Sequence, residues 1–550
     1  MITFKISNYF LTLQTCLLLV TGCMMASCNK GILDETPLSA LNSDVVLSSP
    51  SGYETYLIAL NMMAREELTQ NNATYWTNFN GTDLFSSAGI EYNTYRNWVT
   101  WLNPVRAEVV AYWNWAYTKM LVQANTIIVY ANRPELAGIW PDEAQRNAVI
   151  AEARFFRGYT YNIMANLYGG VPLVDTIYSS PKFDFVRAER SEVYEFAKAD
   201  LEFASQWLPT TVPANKEGRI VKAAADHLLS EVYISLGEYD QAISAATRVI
   251  ESGLYEIMTE RFGRFISEPG DVFSDLFRDG NQNRSSGNLE SIYVWQFEAN
   301  TDGGDGTSEG NRMLANFAPF LANIRSPDGL PHVITDSMGR GVGRARGSTH
   351  YLYQIWEDDW DNDMRNSKFN MRRDFHYNNP ASSYYGQLID KSVLSQEDTL
   401  RNLFAYSRKV EGSPWMGNNL SGRTHKDVIV YRLAETYLLR AEAKLRKSDL
   451  QGAADDINVL RERANASPVL AADVTLDYIL DERARELATE EPRRRTLIRM
   501  GKLVDRIRKY DLLESSRNTI QDYHQFYPIP QEAIDANIGA ELRQNPGYNN

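Results

Sequence analysis

Beyond residue 28 the sequence has no cysteine; its three, Cys16, Cys23 and Cys28, all stand at the start of a 550-residue chain. That absence excludes a disulfide framework and a thiolate metal site from the body. Cations are in deficit, 56 Lys and Arg against 70 Asp and Glu, for a formal charge of −14. Duplex nucleic acid is bound through a cationic face that displaces counterions, so no nucleic-acid partner is expected. After the first segment no apolar run approaches the ~20 residues of a membrane span. H-E-x-x-H and P-loop signatures are missing, and Gly339, Gly341, Gly343 and Gly347 miss the dinucleotide-binding spacing. The 6 histidines are dispersed, which suggests no metal cluster. Neither cofactor nor metal is expected.

Residues 1–27 read as a secretory signal. Lys5 is the only charge before Lys30, and Leu11 to Val20 is largely apolar. Small residues precede two cysteines, in Val20-Thr21-Gly22-Cys23 and Met25-Ala26-Ser27-Cys28. The pattern resembles a lipobox, where the signal is cut just before a cysteine that carries lipid. Cys28 is the expected lipidation residue, because lipidating Cys23 would leave Cys28 as a free thiol in an oxidising compartment. Cys23, with Val20 at its −3 position, is the alternative. Residues 28–48 then form a tether, with Pro37 disfavouring helix.

The body is expected to be mostly α-helical, a tetratricopeptide-like scaffold with a long loop-rich insertion. Residues 49–258 hold the N-terminal helical repeats. Helices are expected over 49–70, 114–131, 141–167 and 187–208, the third with Pro141 in its first turn and a stop at Gly169-Gly170. Residues 71–104 break the pattern. They are rich in Asn, Thr, Gly and aromatic residues, and read as a long ordered loop. In 227–253 two helices flank Gly237, with small and aromatic residues at tetratricopeptide packing positions. Residues 428–464 repeat that unit, Ala441 and Ala453 standing as far apart as Ser230 and Ala242. Between them, 259–425 is a Gly-, Asn- and Asp-rich excursion with short β-like pieces such as Ile292–Phe297. Residues 426–550 return to helix. The basic run from Arg493 to Lys509 lies near Glu482, Glu486, Glu490 and Glu491, and reads as a solvated, salt-bridged helix face.

Several segments in order resemble the SusD/RagB family of outer-membrane nutrient-binding lipoproteins of Bacteroidota. They include Glu152-Ala153-Arg154-Phe155-Phe156-Arg157 through Tyr168-Gly169-Gly170-Val171-Pro172, and Gly218-Arg219-Ile220-Val221-Lys222. Tyr431-Arg432-Leu433-Ala434-Glu435, Ile479-Leu480-Asp481-Glu482-Arg483, and the ending Tyr527-Pro528-Ile529-Pro530 with Gln544-Asn545-Pro546-Gly547-Tyr548 complete the match. One segment departs: Glu491-Pro492-Arg493-Arg494-Arg495 stands where the family has a Gly/His–Arg–Trp/Phe–Asp–Leu pattern. The resemblance implies a lipid-anchored protein on the outer face of the outer membrane. It would capture an oligosaccharide, or less often a peptide, and act as a lid over a SusC-type TonB-dependent transporter.

Catalysis is not expected. Gly306-Thr307-Ser308-Glu309-Gly310 matches G-x-S-x-G, but a loop leads into it where the nucleophile elbow needs a strand. Asp358, Asp359, Asp361 and Asp363 lack the glycine and closing Glu of a calcium loop and read as a solvated turn. A helical glycoside hydrolase is the rival reading, since two carboxylates suffice for it. A binder needs flat aromatic faces for the C–H faces of sugars, with polar groups at the rim. The expected site is the aromatic loop facing the excursion: Asp83, Tyr92, Tyr95, Trp98 and Trp101 from the loop, with Trp295, Arg312 and Trp356 from the excursion. Trp113 and Trp115, inside a helix, are read as packing.

Overall fold

The computed structural model describes residues 42–69, 78–89, 95–301, 303–304, 310–335 and 339–548. The chain divides into two compact units, Met1–Ser49 and Pro50–Asn550. In the first, the described part is a short helix, Ser43–Val46, capped by the Asn42 side chain, which accepts from the Asp44 N–H at 3.1 Å. Cys23, Cys28 and the first part of the tether lie outside the described residues, as do Tyr92 and Ser308.

The second unit is mostly helical. Its main helices are α1 (Pro50–Thr69), α2 (Ala107–Asn114), α3 (Leu121–Ala131), α4 (Glu143–Leu167), α5 (Arg190–Trp207), α6 (Lys222–Leu236) and α7 (Tyr239–Ile250). After the excursion come α8 (Leu433–Arg446), α9 (Leu450–Arg463), α10 (Leu476–Leu487), α11 (Arg493–Arg499) and α12 (Leu503–Tyr510). The expected 114–131 helix begins earlier, at α2, and a π-helical stretch, Trp115–Met120, joins α2 to α3. Tyr112, Trp113, Trp115 and Ala116 all turn inward there, and Trp115 Nε1 donates to the Met63 carbonyl of α1 at 2.8 Å. Pro141 falls outside α4. The cap is Asp142, which accepts from the Gln145 N–H at 2.8 Å and satisfies one of the orphan donors of the first turn.

Consecutive helices from α3 to α9 pack side by side, and α7 lies directly against α8. The helical array therefore continues across the excursion as though it were absent from the sequence. Small residues set the spacing. A Cβ on Gly158 of α4 would lie 3.0 Å from Leu201 Cγ and 3.1 Å from the Ala197 carbonyl of α5. Gly237, at φ 79°, ends α6 in the left-handed conformation that glycine adopts without strain. Ser230 Oγ donates to the Ala242 carbonyl at 3.0 Å across the α6–α7 pair. The recognisable segment on α4 is an ion-pair rail. Arg154 and Arg157 reach Asp200 of α5 at 2.6 and 2.7 Å, while Arg219 grips Glu152 at 2.7 and 2.6 Å. The tail closes on the end of α4: the Tyr527 N–H donates to the Leu167 carbonyl at 2.6 Å, and Asn545 Nδ2 donates to the Tyr168 carbonyl at 2.9 Å.

The described strands form three antiparallel pairs: β1 (Phe85–Ser87) with β3 (Ala345–Gly347), β2 (Ser291–Trp295) with β6 (Val428–Arg432), and β4 (Met371–Arg372) with β5 (Tyr406–Ser407). The β2–β6 pair ties the excursion at its base, with Ser291 opposite Arg432 and Trp295 opposite Val428. The β1–β3 pair joins the aromatic loop to the excursion, Phe85 opposite Gly347. Phe79 and Phe85 pack on Phe317 with ring centroids 5.2 and 4.8 Å apart.

The basic run corrects the solvated-face expectation. Arg493, Arg494, Arg499 and Arg506 are buried, as are Glu482, Glu486 and Glu491. Arg493 and Arg506 converge on Asp83 at 2.7 and 2.9 Å. Nearby, Arg365 of the excursion meets Glu482 and Glu486 of α10 at 2.7 and 2.9 Å, and Arg461 reaches Glu482 at 2.9 Å and Asp359 at 2.7 Å. Asp363 receives Arg365 at 2.7 Å. Asp359 and Asp363 are thus buried salt-bridge partners and not part of a solvated turn. Arginine suits these positions because its planar fork satisfies two carboxylates at once.

Burial alone would raise the Glu482 carboxyl, but Arg365, Arg485 and Arg461 overcome it and hold it at about 2. In the unfolded chain this carboxyl titrates near 4.5, so the pairing contributes fully above that pH and loses its contribution as pH falls toward 2. Glu482→Gln should destabilise the protein by about 3–5 kcal/mol near neutral pH, because it leaves buried cations unpaired. The gap from wild type should narrow on acidification, as read from urea unfolding midpoints at pH 6 and pH 3.

Candidate functional site

Asp83, Trp98, Trp101, Trp295 and Trp356 of the expected site lie in the core, Tyr95 and Arg312 are half-buried, and Tyr92 is outside the described residues. Asp83 is fully buried, and although burial opposes its charge, Arg493 and Arg506 hold the carboxyl far below the usual range. Tyr95 donates to Glu108. Trp98 and Trp101 are 0% and 2% exposed. The Arg494 guanidinium lies 4.7 and 5.3 Å from their ring centroids and 4.7 Å from that of Tyr527, and Trp98 Nε1 donates to Ser516 Oγ at 2.9 Å. Trp295 and Trp356 are likewise buried, their Nε1 donors satisfied by Tyr293 Oη and the Tyr351 carbonyl, each at 2.8 Å. Arg312 precedes the short helix Met313–Phe317 and is half-buried. Trp113 and Trp115 are also buried. The four tryptophan rings of the expected set offer no face to a sugar. A segment with little helix fills its core with large rings, each burying roughly 150–250 Å².

An exposed aromatic pair lies elsewhere in the excursion. Tyr353 and Trp360 are 38% and 40% exposed, with nearly parallel rings at 9° and centroids 6.3 Å apart. Local structure fixes both. A short helix, Thr349–Leu352, is capped by Ser348, whose Oγ accepts from the Tyr351 N–H at 3.2 Å, and Tyr353 follows it. A 3-10 turn, Gln354–Asp359, then buries Ile355 and Trp356 and delivers Trp360. Asp359 anchors that turn through Arg461 and the Ser467 Oγ, which donates at 2.7 Å. Asn366 Nδ2 donates to the Trp360 carbonyl at 2.7 Å, and Arg373 donates to Asn366 Oδ1 at 2.6 Å and to the Leu352 carbonyl at 2.8 Å. The Arg373 guanidinium lies 4.7 Å from the Trp360 ring and 5.9 Å from the Tyr353 ring. The rings are thus held in place before any ligand arrives, which limits the entropy lost on binding. Arg346, on β3 opposite Ser86 of β1, lies within electrostatic reach of Tyr353. The face therefore adjoins the seam where the aromatic loop meets the excursion.

A cleft of about 360 Å³ lies elsewhere, lined by α1, β2 and the segment before α6. Ile58, Met62 and Val294 give it an apolar wall, with Trp295 at its edge. Some of its charges meet one another: Arg219 bridges Glu54 and Glu152, and Lys216 reaches Glu54 at 3.5 Å, while Arg65 donates to the Gln296 carbonyl. It offers no exposed aromatic plane, whereas the Tyr353–Trp360 face offers two.

Trp360 escaped the expected set. Its signal in the sequence is its setting, Glu357-Asp358-Asp359-Trp360-Asp361, where flanking charges disfavour burial of the whole run.

Two family profiles match the chain: "SusD family" over residues 289–548 and "Starch-binding associating with outer membrane" over 32–234. SusD-like protein P2 of Formosa agariphila is 27% identical over 457 residues, 80% of this chain and 81% of that protein. Starch-binding protein SusD of Bacteroides thetaiotaomicron is 38% identical over 124 residues, 22% of each chain. Among solved structures, a laminarin binding SusD-like protein superposes with TM-score 0.66 at 21% identity, covering 90% of this chain and 99% of its own. The surface glycan-binding protein A of Bacteroides thetaiotaomicron in complex with laminarihexaose gives TM-score 0.67 at 20% identity, with 90% and 99% covered.

Trp98→Ala should destabilise the fold by about 3–5 kcal/mol, as a buried ring lost to a cavity does. Trp360→Ala should cost less, about 1–2 kcal/mol, because its ring is already 40% exposed though it packs on Arg373. Chemical denaturation of the two variants beside wild type checks both.

Proposed function

Because the chain belongs to the SusD/RagB family, we propose that it is a glycan-capturing lipoprotein of the outer membrane that hands oligosaccharides to a SusC-type TonB-dependent transporter without altering them. The observation that carries the glycan reading is the pre-set, exposed Tyr353–Trp360 pair. Pyranose rings present flat C–H faces, and two parallel aromatic planes cover them while cations and amides at the rim take the hydroxyls. A binder of this kind has no need of a perturbed acid–base pair, and the carboxylates Asp83, Glu482 and Glu486, held below the usual range, are buried in ion pairs.

Attachment to the outer leaflet follows from lipidation at Cys28, with Cys23 as the alternative. Among the described residues no helix is long and apolar enough to cross a membrane, so acyl chains would supply the anchoring, at about 0.8 kcal/mol per buried methylene. The helical array α3–α9 supplies an extended surface that suits a partner as large as a transporter barrel.

Trp360→Ala and Tyr353→Ala should each weaken glycan affinity about tenfold or more, read by isothermal titration against a glycan identified on an array. Unchanged affinity in both, with the fold intact, rejects this face. Cys28→Ser should abolish incorporation of labelled palmitate; labelling that persists there and vanishes in Cys23→Ser moves the anchor to Cys23.

A further inference from the structure

The Tyr353–Trp360 face carries positive charge that the protein itself leaves uncompensated. Three cations lie near one another here: Arg373 just beyond β4, 4.7 Å from the Trp360 ring, Arg346 on β3, within electrostatic reach of Tyr353 and Lys391, and Lys391, 5.8 Å from the Phe375 ring. Lys391 Nζ donates to the Arg373 backbone carbonyl at 2.8 Å, so the side chain of Lys391 lies beside the Arg373 backbone. None of the three is in ion-pair distance of a carboxylate among the described residues. Arg373 spends its donors on neutral partners, the Leu352 carbonyl and Asn366, and its Nε is buried without one. Arg346 makes no side-chain hydrogen bond among the described residues, and its Nε is also buried and unpartnered. Burial lowers the pKa of all three, and for Lys391 the two arginines add to the lowering. The exposed Asp374 opposes the lowering of Arg373 and Lys391.

The arrangement stands out against the rest of the chain. Arg365, Arg432, Arg461, Arg463, Arg483 and Arg493 are each buried and each bound to carboxylates. The whole molecule carries a charge of −14. In a protein of net negative charge, three cations with no carboxylate partner among the described residues lie near an exposed aromatic pair, a setting that suits an anion.

We propose that the Tyr353–Trp360 face selects anionic glycans, its rings covering the sugar faces while Arg346, Arg373 and Lys391 receive a carboxylate or sulfate group on the sugar. The proposal rests on the glycan reading above and adds the substrate class. Guanidinium groups suit both anions, since their fork matches two oxygens at once. Arg373 has its donors partly engaged and acts as a fixed charge beneath the rings. Arg346 and Lys391 are the groups free to contact the anion.

The test is titration of the full-length protein in detergent with hexagalacturonate, a sulfated carrageenan hexamer, laminarihexaose and hexaglutamate. At least one of the two anionic sugars should bind about tenfold or more tightly than laminarihexaose, and the arm that binds identifies carboxylate or sulfate. The preference should fall to about threefold or less in the Arg346→Gln, Lys391→Gln double variant. In wild type the anionic preference should also shrink between 50 mM and 500 mM salt, as screening requires; this needs no variant and holds even if the double variant misfolds. Laminarihexaose bound as tightly as both anionic sugars overturns the charge selection and leaves glycan capture standing. Hexaglutamate bound as tightly as the anionic sugars overturns the proposal in favour of an acidic peptide. Binding of none of the four overturns both readings.

Discussion

A buried lattice of arginines and carboxylates fastens the excursion to the helical array. Glu486 on α10 is its centre, receiving Arg365 from the excursion, Arg432 from β6 and Arg463 from α9 at hydrogen-bond distance. Glu290, at the start of β2, takes Arg432 and Arg463 at 3.0 and 2.8 Å. Lys409 of the excursion donates to the Glu486 carbonyl at 2.6 Å and pairs with Glu490. Burial pushes the Lys409 ammonium down to about 8, with Glu490 opposing. Such a lattice is a poor source of net stability, because desolvation offsets most of the Coulombic gain. Its value is geometric. A segment with little regular structure has few backbone ladders to fix its position, and a charge that must meet its partner or remain unpaired in the interior fixes position strictly.

That constraint reaches the surface face directly. Arg461 holds Glu482 and Asp359 together, and Asp359 immediately precedes Trp360. Asp363 and Arg365 fix the next turn, and Asn366 ties it to the Trp360 carbonyl. The ring exposed to solvent is thus separated by a few residues from the core lattice. Rigid aromatic planes at a surface ordinarily require support from beneath, and here the support is ionic where a helix would have used apolar packing.

The helical scaffold was legible in the sequence because its signals are local. Gly237 marks the α6–α7 turn, Gly169 ends α4, and the small residues of the repeats recur at fixed spacing, so helix type and most boundaries follow from a window of one or two turns. The π-helical stretch Trp115–Met120 was not legible, since nothing in Trp-Ala-Tyr-Thr-Lys-Met departs from ordinary helical composition. The burial of the basic run was not legible either. Arg493 finds its carboxylate at Asp83, 410 residues away, and sequence-local acids such as Glu482 and Glu486 serve other arginines. The departure from the family pattern at Glu491–Arg495 takes on a physical meaning here: Arg493 neutralises Asp83 and Arg494 fills the space between Trp98, Trp101 and Tyr527. The same reasoning explains why the aromatic loop misled. A tryptophan in a Gly- and Asn-rich loop carries no mark of which way it faces, and in Trp98 and Trp101 the ring is the core of a region too irregular to build one from aliphatic residues.

What distinguishes a binding face from packing in such a protein is therefore charge bookkeeping more than hydrophobicity. Exposed rings alone are common, and buried rings beside arginines are common here too, as Arg494 among its three aromatics illustrates. Arg494 is fully enclosed and meets only π faces and a carbonyl, at His524; it is internal structure. Lys391 is exposed and Arg346 partly so, Lys391 bonds to the backbone of Arg373 beneath two exposed planes, and neither has a carboxylate partner among the described residues. A cation that a fold could readily have paired, left unpaired where a ligand can reach it, weakens the free state slightly and gives that free energy back when an anion arrives.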